Sequence, residues 1–261
     1  MNDSVPIEQL RALGLRYLTH NWQTVVKQAT QSKPSYHRFL SETLSEEYRD
    51  RAERARLARL KRAQLPELWV METFPFSKQP RLKRDLVMQL YESLQFVKDK
   101  QDLIFIGPTG CGKSGLATSF LVHAINHGHR GLFLDFSELV NSLHRSRGDQ
   151  SESHLLKSLA SYEVLLIDEL GYSSCDKDKA SLFFDLMRRR HRRATTIITS
   201  QLGFDEWGSF LQDPHLTAAL LDRMTVNCAV FNMKDCISIR PKKIVYATRN
   251  QAAPEVRARS S

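Results

Sequence analysis

The run Leu103-Ile104-Phe105-Ile106, joined directly to Gly107-Pro108-Thr109-Gly110-Cys111-Gly112-Lys113-Ser114, constrains this chain more than any other feature. The apolar stretch reads as a short buried strand, and the eight residues after it have the G-x-x-x-x-G-K-S spacing of a phosphate-binding loop. Glycines let the backbone curl so that successive N–H groups point inward at phosphate oxygens. A helix starting at the loop adds its positive end. Residues Gly107 to Gly115 then cradle the phosphates, Lys113 reaches the β- and γ-phosphates, and Ser114 holds a Mg2+ ion. The competing reading is a chance glycine-rich turn, which the bare pattern produces in roughly one chain of this length in a hundred.

A second run makes chance a poor account. Val164-Leu165-Leu166-Ile167-Asp168-Glu169 is an apolar strand ending in two acids. An acid at the tip of a buried strand is costly unless something there needs it. A Mg2+ ion on nucleotide phosphates supplies that need, with Asp168 as its ligand, directly or through water. Glu169 is suited to orient or deprotonate a water for attack on the γ-phosphate. Thr195-Thr196-Ile197-Ile198-Thr199-Ser200-Gln201 is a further buried strand with a polar end. If it inserts between the other two, an amide or hydroxyl at its tip could fix the attacking water; a plain strand-end turn is the alternative.

Bulk composition narrows the setting. Charged residues make up 26% and hydrophobic ones 41% of 261 residues, an ordinary globular balance. No apolar run approaches the ~20 residues of a membrane span and no signal peptide is evident. Cys111, Cys175, Cys228 and Cys236 form no C-x-x-C pair. A reduced, cytoplasmic protein is therefore expected. Lys plus Arg number 38 against 29 Asp plus Glu, a net charge of +9, which suits a polyanionic partner such as DNA or RNA.

Along the chain, residues 1–65 read as a helical N-terminal domain in two stretches separated by Pro34, with apolar positions Leu10, Leu13, Tyr17, Phe39, Leu40 and Leu44. The second stretch turns basic at Arg49, Arg51, Arg54, Arg56, Arg59, Lys61 and Arg62, as a solvated face or a nucleic-acid contact. Residues 66–82 read as a linker, in which Phe74 and Phe76 either cover an adenine pocket or pack on the core. The core, residues 83–246, opens with one amphipathic helix at 83–98 (Leu86, Leu90, Leu94, Val97). Strands then alternate with helices: Leu103–Ile106, helix 113–127, Leu132–Phe136, helices 137–145 and 152–161. Val164–Ile167, helix 179–193, Thr195–Thr199 and a strand near Ala229–Asn232 complete it. Such alternation implies an α/β fold, a parallel sheet sandwiched by helices, with ligands bound beyond the carboxyl ends of the strands. Residues 247–261 read as a disordered basic tail.

Two clusters invite other readings. His123, His127 and His129 are expected to be solvent-exposed at a helix end rather than metal-binding. The group Arg188, Arg189, Arg190, Arg192 and Arg193 is denser than a helix C-terminus requires, which suggests a subunit interface or a DNA contact.

Taken together, Gly107–Ser114, the LLIDELGY run (Leu165–Tyr172), Thr199–Gln201 and the blocks Phe204–Phe210 and Thr217–Met224 resemble the IstB-like branch of the AAA+ ATPases. These are ATP-binding transposition helpers, similar to the DnaC helicase loader. The resemblance spans roughly residues 5 to 240. It implies a P-loop NTPase core with a small helical N-terminal domain and no C-terminal lid, since only about twenty residues follow Arg240. It also implies an ATPase that forms a homo-oligomer on double-stranded DNA, with ATP sites at subunit interfaces and a transposase as partner. Lys113 and Ser114 fall on the Walker A positions, Asp168 and Glu169 on Walker B. Gln201 falls on sensor 1, where the family usually has Asn, and Arg223 on the arginine finger, with a salt bridge to nearby acids as the alternative. The sensor-2 arginine is left unassigned, Arg240 being one candidate. A helicase loader shares this core, with a replicative helicase as partner. A metabolic kinase and an ATP-holding scaffold without turnover are rivals of other classes.

Overall fold

The computed structural model describes residues 6–79, 82–148 and 150–239. Arg240 and the stretch 247–261 lie outside them. At its centre is a five-stranded sheet formed by β1 (Asp102–Ile106), β2 (Gly131–Asp135), β3 (Val164–Leu170), β4 (Thr195–Ser200) and β5 (Cys228–Asn232). Every pairing is parallel and the order is β2-β3-β4-β1-β5, so β4 does insert between β1 and β3. The three inner strands are buried on both faces, which is why each reads as a continuous apolar run rather than an alternating one.

Alternate strand residues feed two cores. Ile104, Ile106, Leu165, Ile167 and Ile198 enter one, covered by α7 (Phe136–Gly148), α8 (Glu152–Ala160), α9 (Lys177–Arg190), α10 (Phe204–Phe210) and α11 (Pro214–Thr225). Leu103, Phe105, Val164, Leu166 and Ile197 enter the other, covered by α6 (Lys113–Asn126), α4 (Arg84–Ser93) and α5 (Gln95–Lys98). The sandwich predicted from the alternating pattern is therefore present. From Leu103 onward, each predicted strand and helix appears within a few residues of its expected ends.

Four local readings need correction. The helix expected over 83–98 is broken at Leu94, whose φ is +52°, and the buried residues are Val87, Tyr91, Phe96 and Val97 while Leu86 is exposed. Of the expected apolar positions, Val97 is buried and Leu90 and Leu94 are partly buried against the core, so Leu86 alone is misplaced. The N-terminal part holds three helices, α1 (Ile7–Ala12), α2 (Arg16–Ser32) and α3 (Tyr36–Arg62), with Gly14 at φ +70° supplying the first break. Leu13, Leu40 and Leu44 are exposed there, whereas Leu10 is buried as expected, along with Leu18 and Glu47, and Glu47 accepts the N–H groups of Arg16 (2.8 Å) and Leu18 (3.0 Å) at the start of α2. His123 is half-buried, stacked on Tyr91 at 3.9 Å, and burial pushes its pKa down to about 4. Arg190 is a core residue, only 1% exposed, whereas Arg188 and Arg189 pair with Asp185.

Arg190 joins three elements. Its guanidinium donates to the carbonyls of Leu159 (3.0 Å), Tyr162 (2.8 Å) and Thr195, and to Thr196 Oγ1 (3.1 Å). Asp102, buried nearby, accepts the N–H of Thr196 at 2.7 Å, and desolvation raises its pKa to about 7. Replacing Arg190 by Met keeps the volume and strands these acceptors. Arg190→Met should lower the unfolding free energy by about 2–4 kcal/mol, read as a shift in urea midpoint at constant slope.

Candidate nucleotide site

β1, β3 and β4 end at the same edge of the sheet, and their tips carry the predicted site. The phosphate loop leaves β1 with Gly110 at φ +84° and Gly112 at φ +99°, conformations that side chains resist. A Cβ on Gly112 would stand 2.8 Å from the Phe74 ring, and one on Gly107 would stand 2.7 Å from the carbonyl oxygen of Met233. Lys113 opens α6 and its Nζ donates to the carbonyl of Pro108 at 2.9 Å, bent back over the loop.

Asp168, at the end of β3, is 7% exposed. Its Oδ1 accepts the hydroxyl of Ser114 at 2.9 Å and also that of Thr199. The same Thr199 Oγ1 accepts the backbone N–H of Glu169 at 3.0 Å. One threonine on the inserted strand thus fixes both acids of the Asp-Glu pair. Between Ile167 and Leu170 the register with β4 shifts, and Glu169 takes φ +61°. A bulge of this kind re-aims a side chain, so Glu169 is exposed while its neighbours Asp168 and Leu170 are buried.

A cavity of about 650 Å³ opens here. Thr109, Gly110, Gly112, Lys113, Ser114, Gly115, Asp168, Glu169 and Gln201 line it, so most of the expected residues come together. Gly107, Pro108 and Cys111 do not line it. Gly107 lies beneath Met233, and the Cys111 side chain is fully buried, its carbonyl accepting Gln79 Nε2 at 2.9 Å. Gln201 donates from Nε2 to the carbonyl of Gly171 at 2.9 Å, and its Oε1 accepts from Thr109 Oγ1 at 3.5 Å. Arg223 does not line this cavity. It is exposed on α11, beside His191 at a separate cavity of about 530 Å³, and among the described residues no acid pairs with it.

The segment between α3 and the core contributes walls that the motifs do not mention. Trp69, Phe74 and Pro75 line the cavity, whereas Phe76 faces the core with its ring 4.8 Å from that of Phe74. Gln79, wholly buried, donates to the carbonyls of Cys111 and Ile237 and accepts the N–H of Ile237 at 3.2 Å. Ile239 N donates to the carbonyl of Gly110 at 2.9 Å, closing the loop from the other side. Gln79 stands between Lys78 and Pro80 in a polar, basic stretch, so its sequence neighbourhood gives no sign of its burial.

The charges of the lining decide what the cavity can hold. Among the described residues it presents one cation, Lys113, against Glu67, Asp135, Asp168 and Glu169. Ser114 Oγ and Asp168 Oδ1, hard oxygen donors 2.9 Å apart beside the loop, fit a Mg2+ ion that keeps several of its waters.

A parallel sheet in the order 2-3-4-1-5, with a phosphate loop on β1 and paired acids on β3, defines a P-loop NTPase of the AAA+ class. The chain belongs to the family of IstB-like ATP binding proteins, whose model matches residues 8–246. It is 35% identical over 225 residues, 86% of this chain and 84% of the relative, to a protein of Pseudomonas aeruginosa described as an ATP-binding protein of insertion sequence IS21. A Geobacillus stearothermophilus relative, described likewise for insertion sequence IS5376, is 31% identical over 91% of this chain and 94% of its own. In fold the chain is similar to DnaI (TM-score 0.51, 19% identity, 58% of this chain and 85% of that one). It is also similar to the replication initiator DnaA bound to AMPPCP and single-stranded DNA (TM-score 0.52, 16% identity, 63% and 49%).

If Thr199 positions both acids, Thr199→Val should lower ATP turnover by about 10- to 100-fold while nucleotide affinity changes by less than about threefold. Single-turnover rates beside equilibrium binding separate the two; unchanged turnover would remove Thr199 from the site.

Proposed function

We propose that this chain hydrolyses ATP with Mg2+, assembles into a homo-oligomer on double-stranded DNA, and assists a transposase in selecting its target. The observation that carries the hydrolytic part is the Ser114–Asp168–Thr199–Glu169 chain of hydrogen bonds at the strand tips. Ser114 and Asp168 would hold the Mg2+ ion, which when bound neutralises phosphate charge. The loop N–H groups and Lys113 would bind the β- and γ-phosphates. Glu169, aimed outward by the bulge, accepts a proton from water as the water oxygen bonds to the γ-phosphorus. The bond from that phosphorus to the β,γ-bridging oxygen breaks, giving ADP and phosphate. Gln201, at the tip of β4, would orient this water with whichever amide group it releases from Thr109 or Gly171.

Arg223 stands apart from the cavity of its own chain, so its role would be exercised on the site of a neighbouring subunit. The cation deficit of the lining supports that reading. DNA association is supported by the net charge of +9. On α3, Arg49, Arg54 and Arg56 are engaged by Glu46, Asp50 and Glu53, which leaves Arg51, Lys61 and Arg62 as the exposed basic side chains without an acid partner among the described residues. Relatives described as belonging to insertion sequences favour a transposase as partner over a replicative helicase.

ATP turnover with and without duplex DNA tests the whole. Glu169→Gln should retain ATP and slow hydrolysis by at least about 100-fold; normal turnover would exclude the catalytic role. Arg223→Ala and Lys113→Ala should each be inactive, by about 1000-fold for Arg223. Mixed together they should regain part of the activity at hybrid interfaces. A mixture that assembles but stays inactive would refute action across subunits.

A further inference from the structure

The cavity has a phosphate end and an apolar end, and the residue that shapes the second lies in neither the phosphate loop nor the Asp-Glu strand. Trp69 lies on the segment between α3 and α4, and its ring rests against Gly115, the residue after Ser114. A Cβ at Gly115 would meet Trp69 Cδ2 at 3.2 Å and Cε3 at 3.3 Å, so the glycine makes room for the indole. Trp69 nonetheless remains 39% exposed, at the cavity mouth with Pro66, Thr118 and Phe133. Phe74 differs: it is 8% exposed and closed in against Gly112 and Ile239.

The segment that carries Trp69 is pinned at both ends. The carbonyl of buried Ala63 accepts the N–H of Phe133, on the edge strand β2, at 2.8 Å. Gln79 fixes the far end to the phosphate loop and to Ile237. Between these points Met71 is buried against α6, where the Ser119 hydroxyl faces its sulfur at 4.0 Å. Trp69 is thus an aromatic platform set in place before any ligand arrives, which lowers the ordering cost of a contact to it.

Trp69, over Gly115 at the start of α6, lines the same cavity as Lys113 and Ser114. We propose that Trp69 stacks on the nucleobase, making the segment between the N-terminal helices and the core the base-recognising part of the site. This rests on the reading of the cavity as an ATP site. It goes beyond that reading because neither the loop nor the Asp-Glu pair touches a base. Stacking on an indole is favourable for any base and strongest for a purine, so purine nucleotides gain most.

Calorimetric titration with ATP and with inorganic tripolyphosphate, on the full chain with Mg2+, separates the base from the phosphates. Wild type should bind ATP more tightly than tripolyphosphate. Trp69→Ala should weaken ATP by about tenfold and leave tripolyphosphate within about twofold; Trp69→Phe, which keeps a ring, should recover most of the loss. Three results would overturn the proposal: ATP affinity in Trp69→Ala within about twofold of wild type, equal losses for ATP and tripolyphosphate, or a Phe variant as weak as the Ala variant. Wild type that binds neither ligand would instead sink the ATP-site reading itself, and needs no variant to be seen.

Discussion

The hydrogen bonds that converge on the carboxylate of Asp168 hold this site together. A carboxylate 7% exposed at the end of an apolar strand requires partners, and it takes them from two other elements: Ser114 at the head of α6 and Thr199 on β4. This convergence ties the phosphate loop, the acid-bearing strand and the inserted strand into one unit. It works only because β4 lies between β1 and β3, so sheet order is itself part of the site. Thr199 then passes the constraint on, since its oxygen also accepts the N–H of Glu169. The bulge and the positive φ at Glu169 are the local strain by which one acid of an adjacent pair is buried and the other turned to the cavity.

A second set of constraints acts on the phosphate loop from outside the sheet. Gln79 holds the carbonyl of Cys111, Ile239 holds that of Gly110, and Met233 presses on Gly107. These groups come from opposite ends of the chain: the segment after α3 and the segment after β5. The loop glycines therefore serve two purposes. Gly110 and Gly112 supply backbone angles, whereas Gly107 and Gly115 leave space for neighbours packed directly upon them. Because α3 is continuous into this arrangement through Ala63, the N-terminal helices and the cavity share a covalent and hydrogen-bonded path rather than a loose tether.

How far the sequence reveals this depends on whether a feature is local. The strands are legible because burial on both faces makes Leu103–Ile106, Val164–Ile167 and Thr195–Thr199 continuous apolar runs, and the loop because its spacing is its mechanism. The break at Leu94 is not, since a left-handed turn at a non-glycine residue leaves no mark in composition. Arg190 is hidden inside a run of arginines, where only tertiary packing separates a core guanidinium from exposed ones. Helices α10 and α11 are absent from the alternating pattern although Asp213 before Pro214 is a start signal, with the aspartate accepting the N–H of Leu216 at 2.9 Å. Trp69 and Gln79 escape sequence reasoning because their roles depend on a segment folding back over a loop some forty residues away.

The electrostatics of the cavity bear on why such a site is built in parts. Among the described residues, the lining sets Lys113 as the single cation beside four carboxylates, Glu67, Asp135, Asp168 and Glu169, which together disfavour an anion. On the proposed reading, a divalent ion held by Ser114 and Asp168 would offset part of that excess, and the loop N–H groups would add more. As the γ-phosphate separates, charge grows on its oxygens and on the leaving group, the point at which added positive charge acts most strongly. Arg223 is exposed, unpaired with any described acid, and directed to a different face of its own subunit. On the proposed reading, an arginine kept out of its own cavity would leave the isolated subunit a poor catalyst that still binds nucleotide. Such a division would let hydrolysis follow assembly, and its origin would be the acid-rich lining rather than the phosphate loop.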